Sequence, residues 1–218
     1  AFGWLDLEPG SYTVTGFRGN TVAIPAAQAV VRAGEVTSLA LTVTKSSLSG
    51  TIPAANPGGT TNAASYSGAA IAAGSLLSIF GVGLADTTAA ASGFPLPTAL
   101  GGTQVLLNGV PAPLLYVSPL QINAQAPFSL QGAEVAVVIR RNGVEGAPVT
   151  VPLAQAAPGL FPAALKADYS AISAANPAAR DSIVLLYGTG FGAVTPEVAA
   201  GAAATTASTT LTPAEVTV

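Results

Sequence analysis

Apolar positions recur along this chain in short bursts with a period of two, which is the spacing of strands that bury one face. Near the start, Trp4, Leu5 and Leu7, the Pro9-Gly10 turn, and then Tyr12, Val14 and Phe17 predict strand, turn and strand. Val22 and Ile24 follow, then Ala29–Arg32, a Gly34 turn, and Val36, Leu39, Leu41 and Val43, so some four short strands are expected by Thr44. Between Lys45 and Gly68 the apolar bursts give way to Ser, Gly, Pro, Thr and Asn, a composition that predicts a linker. From Gly74 the strands resume at Leu76–Phe80, Thr103–Leu107, Val110–Val117, Gln121–Ala126, Val135–Arg140 and Val149–Leu153. Two of the junctions are Asn-Gly, at Asn108-Gly109 and Asn142-Gly143. Both central residues of a tight type I′ hairpin turn need positive φ, which these residues tolerate. Strands spaced in this way with no helical period between them predict an antiparallel β-sandwich.

An internal repeat extends the pattern. Ser78-Ile79-Phe80-Gly81-Val82-Gly83-Leu84 aligns with Leu185-Leu186-Tyr187-Gly188-Thr189-Gly190-Phe191, a separation the size of a domain, so two sandwiches in tandem are expected rather than a short-repeat solenoid. Pro213–Val218 then matches the strand around Gln104–Leu106 of the first copy. The expected architecture is all-β, with antiparallel immunoglobulin-like sandwiches in tandem and partial modules at both ends. The divisions are a partial β-sandwich over 1–44, a linker over 45–68, an immunoglobulin-like sandwich over 69–160, and the first part of a second one over 161–218.

Two resemblances accompany this reading. Leu7-Glu8-Pro9-Gly10-Ser11-Tyr12-Thr13-Val14, with Ala33-Gly34-Glu35 before a closing strand, resembles the second half of a carboxypeptidase-regulatory-like, prealbumin-type β-sandwich. From about Asn62 onward the ordered motifs Asn62-Ala63-Ala64-Ser65, Gly74–Gly81, Asn108–Pro119, Gln121–Gln125, Ala157–Phe161 and Leu186–Gly192 resemble the Solibacter-type C-terminal domain of acidobacterial secreted proteins. That resemblance implies tandem immunoglobulin-like sandwiches on extracellular proteins, with no activity attached.

Composition narrows the chemistry. Of 218 residues, 7 are Lys or Arg and 10 are Asp or Glu, so charge makes up 8% of the chain against roughly 25% in an ordinary soluble domain. With no His and no Cys, a zinc finger, a Ser-His-Asp or Cys-His nucleophile system, a disulfide and a haem attachment are all excluded. A net charge of −3 offers nucleic acid no basic stripe. The uncharged run from Thr87 to Ala133 is broken by Pro95, Pro97, Pro111, Pro113, Pro119 and Pro127, so it predicts no membrane-spanning helix.

The candidate sites are few. The acids never cluster in a calcium-loop pattern, Gly81-Val82-Gly83-Leu84 lacks the third glycine of a dinucleotide fingerprint, and Lys45-Ser46-Ser47 sits in the expected linker, so no catalytic, metal or cofactor residues are assigned. Arg140-Arg141 at a hairpin end serves solubility or binds an anion. In Gln121-Ile122-Asn123-Ala124-Gln125 alternation puts Gln121, Asn123 and Gln125 on one face, where they either satisfy loop backbone or form a polar ligand face, for glycan for instance. Thr205–Thr210 with Pro213 resembles an O-glycosylated stretch.

Taken together these features predict a non-enzymatic structural or interaction protein, extracellular or on the cell surface. Its expected partners are other copies of itself or neighbouring modules of one polypeptide, and glycan on the alternative reading. The strands carrying Trp4, Leu7, Tyr12 and Val14 at one end, and Val216 and Val218 at the other, are expected to pair between chains. Head-to-tail strand complementation of that kind builds a filament. The alternative is a piece of a large modular secreted adhesin or carbohydrate-binding protein.

Overall fold

A computed structural model describes residues 9–14, 17–18, 21–22, 27–33 and 52–210. The chain divides into two units, Ala1–Thr51 and Ile52–Val218. All regular structure among the described residues is β.

In the first unit β1 (Gly10–Val14) pairs antiparallel with β4 (Ala27–Val31), with Tyr12 opposite Ala29, and β2 (Phe17–Arg18) pairs with β3 (Thr21–Val22). The strand expected around Trp4–Leu7 and the one expected over Val36–Val43 lie outside the described residues.

The second unit is built on a sandwich. One sheet runs β10 (Val110–Pro111), β9 (Thr103–Leu107), β13 (Glu134–Arg141), β15 (Val149–Ala154) and β6 (Ile71–Ala72), and β14 (Val144–Glu145) folds back on β13. Its pairings are antiparallel except β15 with β6, which is parallel. The other sheet runs β5 (Ala54–Asn62), β7 (Leu76–Val82), β12 (Gln121–Gln125), β11 (Leu114–Val117) and β8 (Ala89–Ala90). Alternation supplies the core. Val105 and Leu107, Val135, Val137 and Ile139, and Val151 from the first sheet meet Leu77, Ile79, Leu114, Val117, Ile122 and Ala124 from the second, all buried in one cluster. The Asn-Gly hairpins form as their chemistry requires, with φ of 50° and 80° at Asn108 and Gly109 and 49° and 81° at Asn142 and Gly143.

The linker expected over 45–68 is corrected by β5. Ala54–Asn62 is an edge strand of the sandwich, with Ala54, Ala55, Thr60, Thr61 and Asn62 buried. Composition hid it because its buried residues are small or polar and its Asn56-Pro57-Gly58-Gly59 segment is an irregularity in the ladder, between Ala55 and Thr60. Its polar groups are satisfied inside the fold, as where the Thr61 hydroxyl donates to the Ser78 carbonyl at 3.1 Å.

Beyond Leu153 the chain makes a second hairpin, β16 (Gly159–Lys166) with β17 (Val184–Thr189), and a short pair, β18 (Val194–Thr195) with β19 (Thr209–Thr210). The β16–β17 ladder repeats the β5–β7 ladder. In the first, Ala54 faces Val82, Ala55 faces Gly81, an irregularity follows, and Thr60, Thr61 and Asn62 face Ile79, Ser78 and Leu77. In the second, Gly159 faces Thr189, Leu160 faces Gly188, an irregularity follows, and Ala164, Leu165 and Lys166 face Leu186, Leu185 and Val184. Pro57 and Pro162 occupy the two irregularities. Gly81 and Gly188 allow the same close crossing. A Cβ on Gly81 would overlap the Ala54 carbonyl and approach Leu84 to 2.8 Å, and one on Gly188 would come within 2.9 Å of the Gly159 carbonyl and 2.7 Å of Phe191.

Candidate functional site

Two places in the second unit carry side chains that the fold leaves available: the outer face of β12 and the second hairpin.

On β12, burial alternates as expected. Ile122 and Ala124 are buried in the core, while Gln121, Asn123 and Gln125 lie half-buried on the other face. The three amides do different work. Gln125 accepts a hydrogen bond from the Gly201 amide at 2.6 Å, while the Gly201 carbonyl accepts one from Leu96 N–H at 2.7 Å, so this amide fastens the later chain to the sandwich. The Asn123 side-chain oxygen accepts from Gln121 Nε2 at 2.8 Å and from the Ser78 hydroxyl at 3.3 Å. Gln121 and Asn123 then line a shallow groove of about 290 Å3 together with Tyr66, Leu76, Leu115 and Phe161. Tyr66, at φ 55°, also packs against Phe80 with ring centroids 6.3 Å apart.

The two arginines are engaged at the rim of the first sheet. Arg140 pairs with Glu145 across the β13–β14 hairpin and reaches Gln104 at 3.4 Å. Arg141 donates to the Gly83 carbonyl at 2.8 Å and stands 3.5 Å from Asp86. These contacts fasten loops to the sheet, and exposed pairs of this kind add at most about 1 kcal/mol each.

A buried polar clasp seats the second hairpin on the sandwich. Asn62 Nδ2 donates to the Ala157 carbonyl at 2.9 Å and to the Thr189 carbonyl at 3.4 Å, and Asn62 Oδ1 accepts from the amides of Ala64 and Ser65 at 2.8 and 3.1 Å. Both donors and both lone pairs of the amide are thereby used. Leu76 N–H donates to the Thr189 hydroxyl at 2.7 Å alongside. The position of Asn62 inside a conserved-looking motif was visible in sequence as Asn62-Ala63-Ala64-Ser65. Its role was not, because its partners lie 95 and 127 residues away.

What the clasp holds in place is an open surface. Leu77 and Ile79 in β7 are fully buried, yet their counterparts in β17, Val184 and Leu186, are 42% and 48% exposed. Ile183 and Tyr187 beside them are 69% and 47% exposed. In the first sheet β7 lies between β5 and β12, whereas β17 pairs with β16 alone among the described residues. Ile183-Val184-Leu185-Leu186-Tyr187 is therefore an uncharged apolar run on a free strand edge, without the Lys, Pro or bulge that commonly protects such edges.

Of the strands expected to pair between chains, Tyr12 and Val14 lie in β1, which pairs with β4 of its own chain. Trp4, Leu7, Val216 and Val218 lie outside the described residues. The pairing potential of β17 went unmarked in sequence because Leu185–Phe191 reads equally well as a strand inside a completed sandwich. The chain matches no protein-family model, no curated protein and no solved structure.

Proposed function

We propose that this chain is a non-enzymatic structural or interaction protein of the extracellular space or cell surface, joined to other copies of itself or to neighbouring β-modules by strand addition. One observation carries the reading: β16 and β17 reproduce the register of β5 and β7 but leave core-facing positions exposed. In this reading the hairpin opens a second immunoglobulin-like sandwich of the Solibacter type, and a strand from outside it supplies what β12 supplies to β7. Backbone pairing gives such a contact its affinity and the alternate side chains its specificity. Repeated along a line, strand complementation builds a filament. The absence of His and Cys, and charge too sparse for converging acid–base groups, support a role without chemistry.

Sedimentation velocity tests this. Between about 1 and 100 μM, where mass action reveals associations of ordinary strength, the weight-average mass is expected to rise, and Val184→Lys with Leu186→Lys to hold the chain at monomer mass. A wild-type chain that stays monomeric throughout that range overturns the association.

A second reading, a carbohydrate-binding module, is favoured by the groove. Gln121 Oε1 and Asn123 Nδ2 carry no hydrogen bond among the described residues, and they stand beside the rings of Tyr66 and Phe161. An acceptor and a donor next to aromatic faces suit vicinal hydroxyls over an apolar sugar face. Binding on a glycan array that Asn123→Ala removes would support it.

A further inference from the structure

We propose that β17 is a self-complementary edge: two copies of this chain join by antiparallel β17–β17 pairing about a two-fold axis through Leu185. The inference rests on the association proposed above and names its surface, its register and its occupant.

The direction of the backbone groups comes first. On β16 the Ala164 carbonyl accepts from Ile172 N–H on the side away from β17. Ala164 faces Leu186 across the ladder, so this is a pair that does not exchange backbone bonds, and Leu186 turns its N–H and C=O to the free edge. Alternation does the same for Val184 and turns Leu185 inward to Leu165. The first copy agrees. The Leu76 carbonyl accepts from Ala63 N–H on the β5 side, and Leu77 and Ile79 face Ala124 and Ile122 of β12. The free edge of β17 thus offers the peptide groups that an antiparallel partner requires.

The side chains then select the partner. In the first copy Ser78 donates to Asn123 of β12, but Leu185 stands in the place of Ser78, Ile183 in that of Leu76, and Tyr187 in that of Phe80. A strand of the β12 kind would set its amides against Ile183, Leu185 and Tyr187. The fitting occupant is apolar on both faces. Among the described strands apolar throughout their centres, β11 and β13 are already paired on both edges, which leaves β17. Antiparallel pairing about Leu185 sets Val184 opposite Leu186 and Ile183 opposite Tyr187, with apolar groups meeting on each face. Asp181 then falls opposite Thr189 and not opposite its own copy, so no like charges meet. The contact is isologous, which makes this end of the chain two-fold and not head-to-tail.

The chain has no cysteine, so single-cysteine variants report the register directly. Leu185 pairs with itself at a position without backbone bonds, where Cα atoms lie about 4.5 Å apart, within disulfide reach. Under mild oxidation at micromolar concentration, Leu185→Cys is expected to form covalent dimer at least tenfold faster than Phe94→Cys, which is exposed elsewhere on the unit. A mixture of Ile183→Cys and Tyr187→Cys is expected to cross-link tenfold faster than either alone, and this keeps the test valid if Leu185→Cys fails to fold. Equal rates for Leu185→Cys and Phe94→Cys, or for Ile183→Cys alone and the mixture, overturn the pairing. If the wild-type chain still associates in the centrifuge while these rates are equal, the register fails and the broader association stands. A monomeric wild-type chain removes both.

Discussion

The β5–β7 and β16–β17 hairpins share their register, a proline in the ladder irregularity and a glycine at the same crossing, yet one is the edge of a closed core and the other a bare sheet. The local geometry of a strand pair is therefore set by its own residues, and burial is set by what packs on it afterwards. Gly81 and Gly188 let two backbones approach, Pro57 and Pro162 break the ladder, and neither feature needs a third strand. Enclosing the apolar residues does need one: β12 and the facing sheet cover Leu77 and Ile79, while Val184 and Leu186 stay half exposed.

The largest expected effect breaks that comparison at one pair of equivalent positions. Ile79→Ala empties a site that is fully enclosed, and it should lower unfolding stability by about 4 kcal/mol, in the range for large-to-small core changes. Leu186→Ala, at the matching ladder position, should cost less than about 1 kcal/mol in a monomeric chain, since a half-exposed side chain leaves little cavity behind. Urea unfolding at low protein concentration measures both. Equal losses would mean that β17 is covered after all.

Asn62 gives the next effect, because it is where the closed copy holds the open one. Asn62→Ala leaves the carbonyls of Ala157 and Thr189 and the amides of Ala64 and Ser65 without their partner, at about 1–3 kcal/mol for each group that water fails to reach. A total near 3 kcal/mol is expected. Hydrogen exchange should show where it falls. Amides of β16 and β17 should lose protection by at least tenfold while those of β9 and β13 keep theirs, because the central strands do not touch the clasp. Uniform loss across all four strands would make the second hairpin inseparable from the sandwich.

The same contrast explains how much could be read in sequence. The strands from β7 to β15 announce themselves through period-two apolar residues and through Asn108-Gly109 and Asn142-Gly143, since hairpin turns and half-buried faces are local properties. β5 does not. Its buried residues are Ala, Thr and Asn, and its Pro57-Gly58-Gly59 segment has the composition of a linker, so only the partner strand β7 reveals it as structure. The repeat was legible at Gly81 and Gly188 but not at Pro57 and Pro162, where no neighbouring identity carries the match. On β12 the pattern placed Gln121, Asn123 and Gln125 on one face, while their division of labour depends on Gly201 and Ser78, which no local spacing connects. Whether β17 has a neighbour is the least local of these properties, because it depends on what meets its free edge.

The smallest expected effect sharpens the comparison in the loops that follow β5 and β16. In the first, Tyr66 N–H donates to the Asn62 carbonyl and Asn62 N–H to the Ser67 carbonyl. In the second, Tyr169 N–H donates to the Lys166 carbonyl and Lys166 N–H to that of Ser170. Both tyrosines take a positive φ, 55° and 65°. Inside the loops the acceptors differ. The Ser65 hydroxyl takes the Ser67 amide at 3.3 Å, whereas the Asp168 carboxylate takes both the amide and the hydroxyl of Ser170, at 2.9 and 2.7 Å. Those two bonds, the hydroxyl's first, hold the Asp168 carboxyl below its ordinary value of 3.8, with Lys166 adding a weaker pull in the same direction. A carboxyl whose folded value is lowered contributes stability above the unfolded value and loses it as pH falls through the folded one. Acidification from neutral should therefore leave the loop at Ser65 unchanged and release the Ser170 amide only below the ordinary carboxylate range. Amide chemical shifts followed by NMR across that titration measure this. Asp168→Ser, which gives the second loop the residue of the first, should abolish the step at Ser170, and a step that survives the substitution would assign the titration to another group.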